Sequence, residues 1–330
     1  LIALLDAVLV NGYGSKTAAG WTKPLSTTNK AAYLQNLTGA NNSSGMLLYI
    51  DDTGPGAGGA REARTCGFET MSAITPTGTG QFPTAAQSTI GVGTLTIRKS
   101  TTADATARPW TIIANGQTIY LFIETGDQTI PLGAVPFFFG DFKSYKSADQ
   151  YAVAIIGRAT ENNGTPQNEP FHMVGALSNL NIKYMGHYVA RSWNGIGGST
   201  QFGKIMDYNK IGTTPIMQYS SDNQLLIPNN GTLNFTMGRN ASSIQFPGPN
   251  GVDGALWVSP LYMFHGFSYR GYLPGLWAPL HDRVMLHNDT MTLSSGNLSG
   301  KSLICQQTMA YLLGSGDIAT PLIEYSDTWT

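Results

Sequence analysis

The chain has 330 residues and a formal net charge of -1, with only 12% charged residues against about 25% in an ordinary soluble domain. Near-neutrality disfavours generic adhesion to nucleic acid or to an acidic membrane. Glycine contributes 39 residues, and Thr, Ser and Asn together 80, so small neutral polar groups stand where charge usually does.

Leu1, Leu4, Leu5, Val8 and Leu9 recur at helical spacing. They predict an amphipathic helix over residues 1–10, ended by Asn11-Gly12. Asp6 in its middle, with no small-residue cleavage pattern after it, argues against a signal-peptide remnant. The start at Leu1 without Met is expected to reflect processing, truncation or disorder upstream. The periodicity then shifts to two, with candidate strands at 32–37, 46–51 and 94–98. Trp110–Ala114 and Thr118–Ile123 flank Asn115-Gly116, and Asn-Gly predicts a hairpin with a type I′ turn. Further strands are expected at 137–142 and 151–158. Tyr151 to Ile156 is apolar on both faces and should be central in a sheet.

The segment 161–170 (ENNGTPQNEP) holds two Pro, one Gly and three Asn and reads as the best internal boundary. Beyond it, strands are expected at 184–191, 204–208, 216–220, 233–237, 255–267, 301–308 and 321–325. No fixed-period repeat is present. The expected fold class is α+β and β-rich. Its N-terminal amphipathic helix packs on antiparallel β-sheets, with few other helices and long polar loops. An N-terminal α+β domain (1–160), a linker (161–170) and a C-terminal β-rich domain (171–330) are expected. The longest apolar runs are far below the ~18 residues of a membrane helix, so no membrane span is expected. Cys66 and Cys305 allow one disulfide at most.

Candidate chemistry is sparse. Gly54-Pro55-Gly56-Ala57-Gly58-Gly59 matches G-x-G-x-x-G after a strand-like run. A dinucleotide site needs a helix start directly after it and an acidic residue about 20 positions on. The first is not evident, no carboxylate stands around 75–80, and the βαβ alternation is missing. A Gly-rich loop that fits against a neighbouring subunit is the simpler reading. The histidines (His172, His187, His265, His281, His287) form no H-E-x-x-H. His281, Asp282 and His287 lie close in sequence, but zinc needs three or four ligands at defined geometry and neither Cys is near them in sequence, so no metal and no cofactor are expected. There is no G-x-S-x-G. Asp51 and Asp52 adjoin on a strand and should point to opposite faces, while Glu62 and Glu69 follow. Nine N-x-[ST] triplets occur, as a chain rich in Ser, Thr and Asn produces by composition. Trp193, Trp257, Trp277, Tyr262, Tyr269 and Tyr272 suggest either a sugar-binding platform or core and subunit contacts.

Several strings carry a resemblance. LIALLDAVLVNGYGSKTAAGWTKP (1–24), DTGPGAGGAREAR (52–64), IRKSTTADATARPW (97–110), FFGDFKSYK (138–146), AIIGR (154–158) and RGYLPGLWAPLH (270–281) are similar to a family of tailed-bacteriophage virion structural proteins. The likeness is densest over the first 160 residues. It implies a location, the virion, assembled in the bacterial host cytoplasm. It implies a non-enzymatic role and partners that are copies of the chain and other virion proteins, with no sequence-specific nucleic-acid binding. The tail or head–tail neck is expected ahead of capsid decoration. A receptor- or carbohydrate-binding module on the virion surface, using Trp257, Tyr269 and Trp277, is the competing expectation. An enzyme would need Asp51, Glu62 or Glu69 gathered with a histidine of the second half. The loop Gly54, Gly56, Gly58, Gly59 is expected to sit at a subunit contact or to be mobile in an isolated subunit. Replacing Gly56 and Gly58 by Val should then impair assembly more than folding.

Overall fold

A computed structural model describes residues 1–37, 43–56, 58–88, 90, 92–126, 134–159, 161, 186–197, 203–206, 218–219, 225–226, 256, 258–265, 268–279, 285–310, 317–319, 321–326 and 329. The protein is β-rich. One five-stranded antiparallel sheet runs β1 (Thr22–Ser26), β2 (Lys30–Leu34), β3 (Leu47–Asp51), β4 (Glu62–Phe68) and β5 (Leu95–Arg98), in that order. A second comprises β6 (Trp110–Ala114), β7 (Thr118–Ile123), β8 (Val135–Asp141), β9 (Val153–Ile156) and β10 (His187–Val189), neighbours in chain order. The third contains β11 (Gly203–Met206), β12 (Val258–His265), β13 (Ser268–Pro279), β14 (Thr290–Thr292), β15 (Ser302–Cys305) and β16 (Leu322–Glu324). Its order is β11-β12-β13-β16-β15-β14, and Lys143–Ser144 pairs onto β13.

The second sheet is the middle layer, and residue parity explains how. Ile119, Leu121, Ile123, Phe137, Phe139, Val153 and Ile155 face one way, into a core with the first sheet and the N-terminal helical segment. Tyr120, Phe122, Phe138, Ala154 and Ile156 face the other way, onto Leu261, Met263, Leu273, Leu276 and Ile323 of the third sheet. A strand covered on both faces must be apolar at every position, which is how 151–156 reads, and β9 is buried throughout. The outer faces carry smaller clusters, Tyr49, Cys66 and Phe68 on the first sheet and Trp277, Leu303 and Cys305 on the third. Prolines fit this order. Pro24 lies in the edge strand β1. Pro136 lies in the part of β8 that pairs only with β7, because pairing with β9 starts at Phe138.

Several expectations are corrected. The helical segment is one α-turn (Ile2–Leu5) that widens into a π-turn (Asp6–Asn11). Leu5 and Leu9 are its buried residues. The carbonyls of Val8 and Leu9 accept the amides of Ala19 and Trp21, so the following segment holds the widened turn. Gly12 ends it at φ +98°. The 110–123 hairpin has the expected strands, but its turn is not type I′, since neither Asn115 nor Gly116 has a positive φ. Asn115 pairs with Thr118, which places Gly116-Gln117 at the tip. The Asn115 side chain accepts both the Gln117 and the Thr118 amides at 2.9 Å. Tertiary contacts select this form. The Asn115 carbonyl accepts the Trp21 indole at 2.7 Å, and the Gly116 carbonyl accepts the Asn36 amide.

Of the expected linker only Glu161 is described, and it is ion-paired to Arg64. Strands on the two sides of that segment pair directly, β9 with β10, and the core of the third sheet is built on the second. The halves therefore share a sheet and a core. Cys66 and Cys305 are both free and buried, in different sheets. Burial pushes both thiols up, Cys305 to about 12. No helix among the described residues is long and apolar enough to cross a membrane.

Candidate functional site

The Gly-rich loop joins β3 to β4 through a three-residue 3-10 turn, Gly59–Arg61. The chain then extends directly into β4, so no α-helix N-terminus points at the loop, as a pyrophosphate site requires. The glycines answer needs inside this chain. Gly54, Gly56 and Gly59 have φ of +74°, +72° and +54°, a region costly for side chains with Cβ. A Cβ on Gly56 would fall 1.7 Å from a carboxylate oxygen of Glu161, and one on Gly58 would fall 1.8 Å from Glu62. The close approach expected toward a neighbouring subunit is thus made to two carboxylates of the same chain.

Those carboxylates are anchored. Glu62, 1% exposed, accepts from Arg98 and Arg158 at 3.1 Å each, with both cations almost fully buried. Arg158 also joins the sheets, its carbonyl accepting the Thr96 amide of β5. Glu161 binds Arg64. The other acidic candidates also have cations of their own. Asp51 binds Lys30 at 2.9 Å. Burial raises its pKa, but the Thr53 hydroxyl and Lys30 outweigh that and hold the carboxyl below its usual range. Asp52 binds Lys99, and Glu69 binds Arg191 through both carboxylate oxygens. Asp51, Glu62 and Glu69 are therefore distributed among separate ion pairs and do not converge.

Of the histidines, His187 is buried in β10. His287 accepts the Gln307 amide at Nδ1, so Nε2 carries the proton it donates to Glu124 at 3.0 Å. His172, His281 and Asp282, and the side chain of His265, lie outside the described residues. Among the described residues no group of three potential metal ligands occurs.

The aromatic candidates separate. Trp277 is 9% exposed and its Nε1 donates to the buried Glu324 at 2.9 Å, so it offers no open face for a sugar. Trp257 and the side chain of Tyr269 lie outside the described residues. Trp193 is the exposed one, at 61%. The Lys146 amine lies over its ring, 5.8 Å from the centroid, and donates to its carbonyl. Tyr145, next in chain to Lys146, is 59% exposed and lies 6.1 Å from the Tyr272 ring. Ile196, 56% exposed, belongs to the same turn as Trp193, closed by Ser192. Trp193 and Ile196 are thus exposed on one turn, tied through Lys146 to the segment that carries Tyr145, beside the seam of the second and third sheets. Beneath it Arg270 of β13 grips Asp149 with two bonds of 2.9 Å.

Sequence reasoning marked Trp193 and Tyr272 but missed Tyr145 and Lys146, whose relevance comes only from that seam. It also missed a cleft of about 250 Å³ at the end of the second sheet, lined by Lys99, Ser100, Thr102, Asp104, Arg108 and Trp110 among others. The available signal was local: one Trp, three cations and several hydroxyls within 97–110.

Comparison with known proteins yields no family model that matches the chain and no curated protein that matches it.

Proposed function

We propose that this chain is a non-enzymatic structural component of a tailed-bacteriophage virion, forming a homo-oligomeric part of the tail or head–tail neck. One observation carries the assembly part: Tyr145, Trp193 and Ile196 are each more than half exposed, Trp193 and Ile196 belong to one turn, and Lys146, next in chain to Tyr145, lies over the Trp193 ring. Contiguous exposed apolar side chains mark interaction sites on soluble proteins, and a buried Trp is a frequent anchor of such contacts. The low charge supports the same reading, because charge is depleted at interface cores. The virion part rests on the resemblance of the strings in 1–24, 52–64, 97–110, 138–146, 154–158 and 270–281. The α+β description, with an amphipathic N-terminal helix laid on antiparallel sheets, belongs to this proposal, as do the partners: copies of the chain and other virion proteins.

Light scattering on the purified chain, with mass spectrometry of particles, tests it. A defined oligomer is expected that falls apart in Trp193→Ser, while the circular dichroism spectrum of the variant stays that of the wild type. A strictly monomeric protein absent from particles would refute it. Capsid decoration is the second placement, and a low-resolution particle map separates the two.

A further inference from the structure

Arg108 differs from Arg64, Arg98, Arg158, Arg191 and Arg270, each of which pairs with a carboxylate. Among the described residues no carboxylate lies within ion-pair distance of it. Hydroxyls hold it: Nε donates to Ser100 at 3.0 Å, and Nη2 to Thr102 at 3.2 Å and Thr101 at 3.4 Å. The backbone of Gly126 closes on its other side, where a Cβ would fall 1.9 Å from Nη1. The guanidinium is therefore fixed in place at the wall of the 250 Å³ cleft. Asp104 stands on the same cleft, and its Oδ1 accepts from the Thr102 hydroxyl at 2.9 Å and the Thr106 amide at 3.0 Å. Those bonds hold its carboxyl below the usual range, so it is ionised at neutral pH. Trp110 supplies a half-buried aromatic wall, met by the exposed Tyr13 ring edge-to-face at 5.2 Å. Lys99 and the Leu1 ammonium, both on the cleft, share the Asp52 carboxylate.

This set carries a fixed fork of donors and an ionised acceptor, with the Trp110 indole beside them. An anion would meet Asp104, and a purely apolar ligand would leave the polar groups unpaired. A ring with adjacent hydroxyls satisfies both, since each hydroxyl both donates and accepts and the C–H face of the ring lies against the electron-rich face of an indole. The volume lies just below the roughly 300 Å³ at which sites for drug-sized ligands start, so it suits one small ring. We propose that this cleft binds a single neutral pyranose ring, its face on Trp110 and its hydroxyls shared between Arg108 and Asp104. The inference is independent of the assembly reading.

The test is a titration of the whole chain followed by the indole N–H resonance of Trp110, assigned with Trp110→Phe. The probes are glucose, galactose, mannose and N-acetylglucosamine, with inorganic phosphate as the anionic control. At least one sugar should shift the resonance saturably. Asp104→Ala should weaken that binding about tenfold or more, the scale of a lost hydrogen bond to a charged group. Asp104 is exposed, so this variant should keep the wild-type thermal midpoint, and Arg108→Gln provides a second weakened variant. The proposal is overturned if none of the four sugars moves the resonance, if Asp104→Ala binds as wild type, or if phosphate alone binds and Asp104→Ala strengthens it.

Discussion

Arg270→Ala should be among the most damaging single substitutions outside the apolar core, and its effect should depend on pH. Arg270 and Asp149 side chains are 4% and 1% exposed, and the guanidinium also donates to the carbonyls of Tyr151, at 3.0 Å, and Arg191. It lies 5.3 Å from the Phe142 ring centroid. Removing it strands a buried carboxylate, an effect of about 3–5 kcal/mol against a total stability of roughly 5–15 kcal/mol. Burial pushes the Asp149 carboxyl up, but the bonds from Arg270 outweigh it and hold the pKa below the ordinary value. The stabilisation is therefore fully present above the unfolded aspartate pKa of ~3.9 and is lost as pH falls through the folded value. Without Arg270 the buried carboxyl is raised instead, so the variant's deficit should be largest at pH 7 and shrink toward pH 4. Urea unfolding of wild type and variant at both pH values measures this. In the double variant Asp149→Ala with Arg270→Ala, the loss at pH 7 should be smaller than the sum of the single losses. A deficit under about 1 kcal/mol at pH 7, or one equal at both pH values, would refute the reasoning.

Phe138→Ala removes a fully buried ring between the second and third sheets and should cost about 3–5 kcal/mol, read as a lower urea midpoint. Gly58→Val drives a side chain into Glu62, which two buried arginines prevent from moving away. It should lower the thermal midpoint of the isolated subunit by an amount matching about 1–3 kcal/mol, whereas an effect confined to assembly would contradict the intrachain role found for this glycine. Cys66 and Cys305 should resist a thiol reagent at pH 8 in the native protein and react at once in denaturant, because both are buried and burial raises both thiols. Rapid native labelling of either would show that its sheet opens readily.

Much of the architecture was legible in the residues. Alternation and β-branched runs marked β6, β7 and β9, and the two-sided apolar character of 151–156 placed β9 inside a sheet, because only a strand covered on both faces can spare every polar position. Asn11-Gly12 marked the end of the helical segment. The strands that escaped did so for chemical reasons. In β4, Glu62 and Arg64 read as surface residues until Arg98, Arg158 and Glu161 are brought to them from distant parts of the chain. In β13, Gly271, Pro274, Gly275 and Pro279 read as a loop, although the partner strands tolerate them. The Asn-Gly turn shows the limit of local chemistry, since its preference for positive φ yields to an indole and an amide that only the folded chain supplies. The cleft at Arg108 and the patch at Trp193 depend in the same way on long-range closure. Local sequence determined which segments extend and which faces are apolar, because those follow from backbone sterics and side-chain period. Which charges pair, which glycines are indispensable and which aromatics stay in water were decided by tertiary contacts, because each depends on atoms tens to hundreds of residues away.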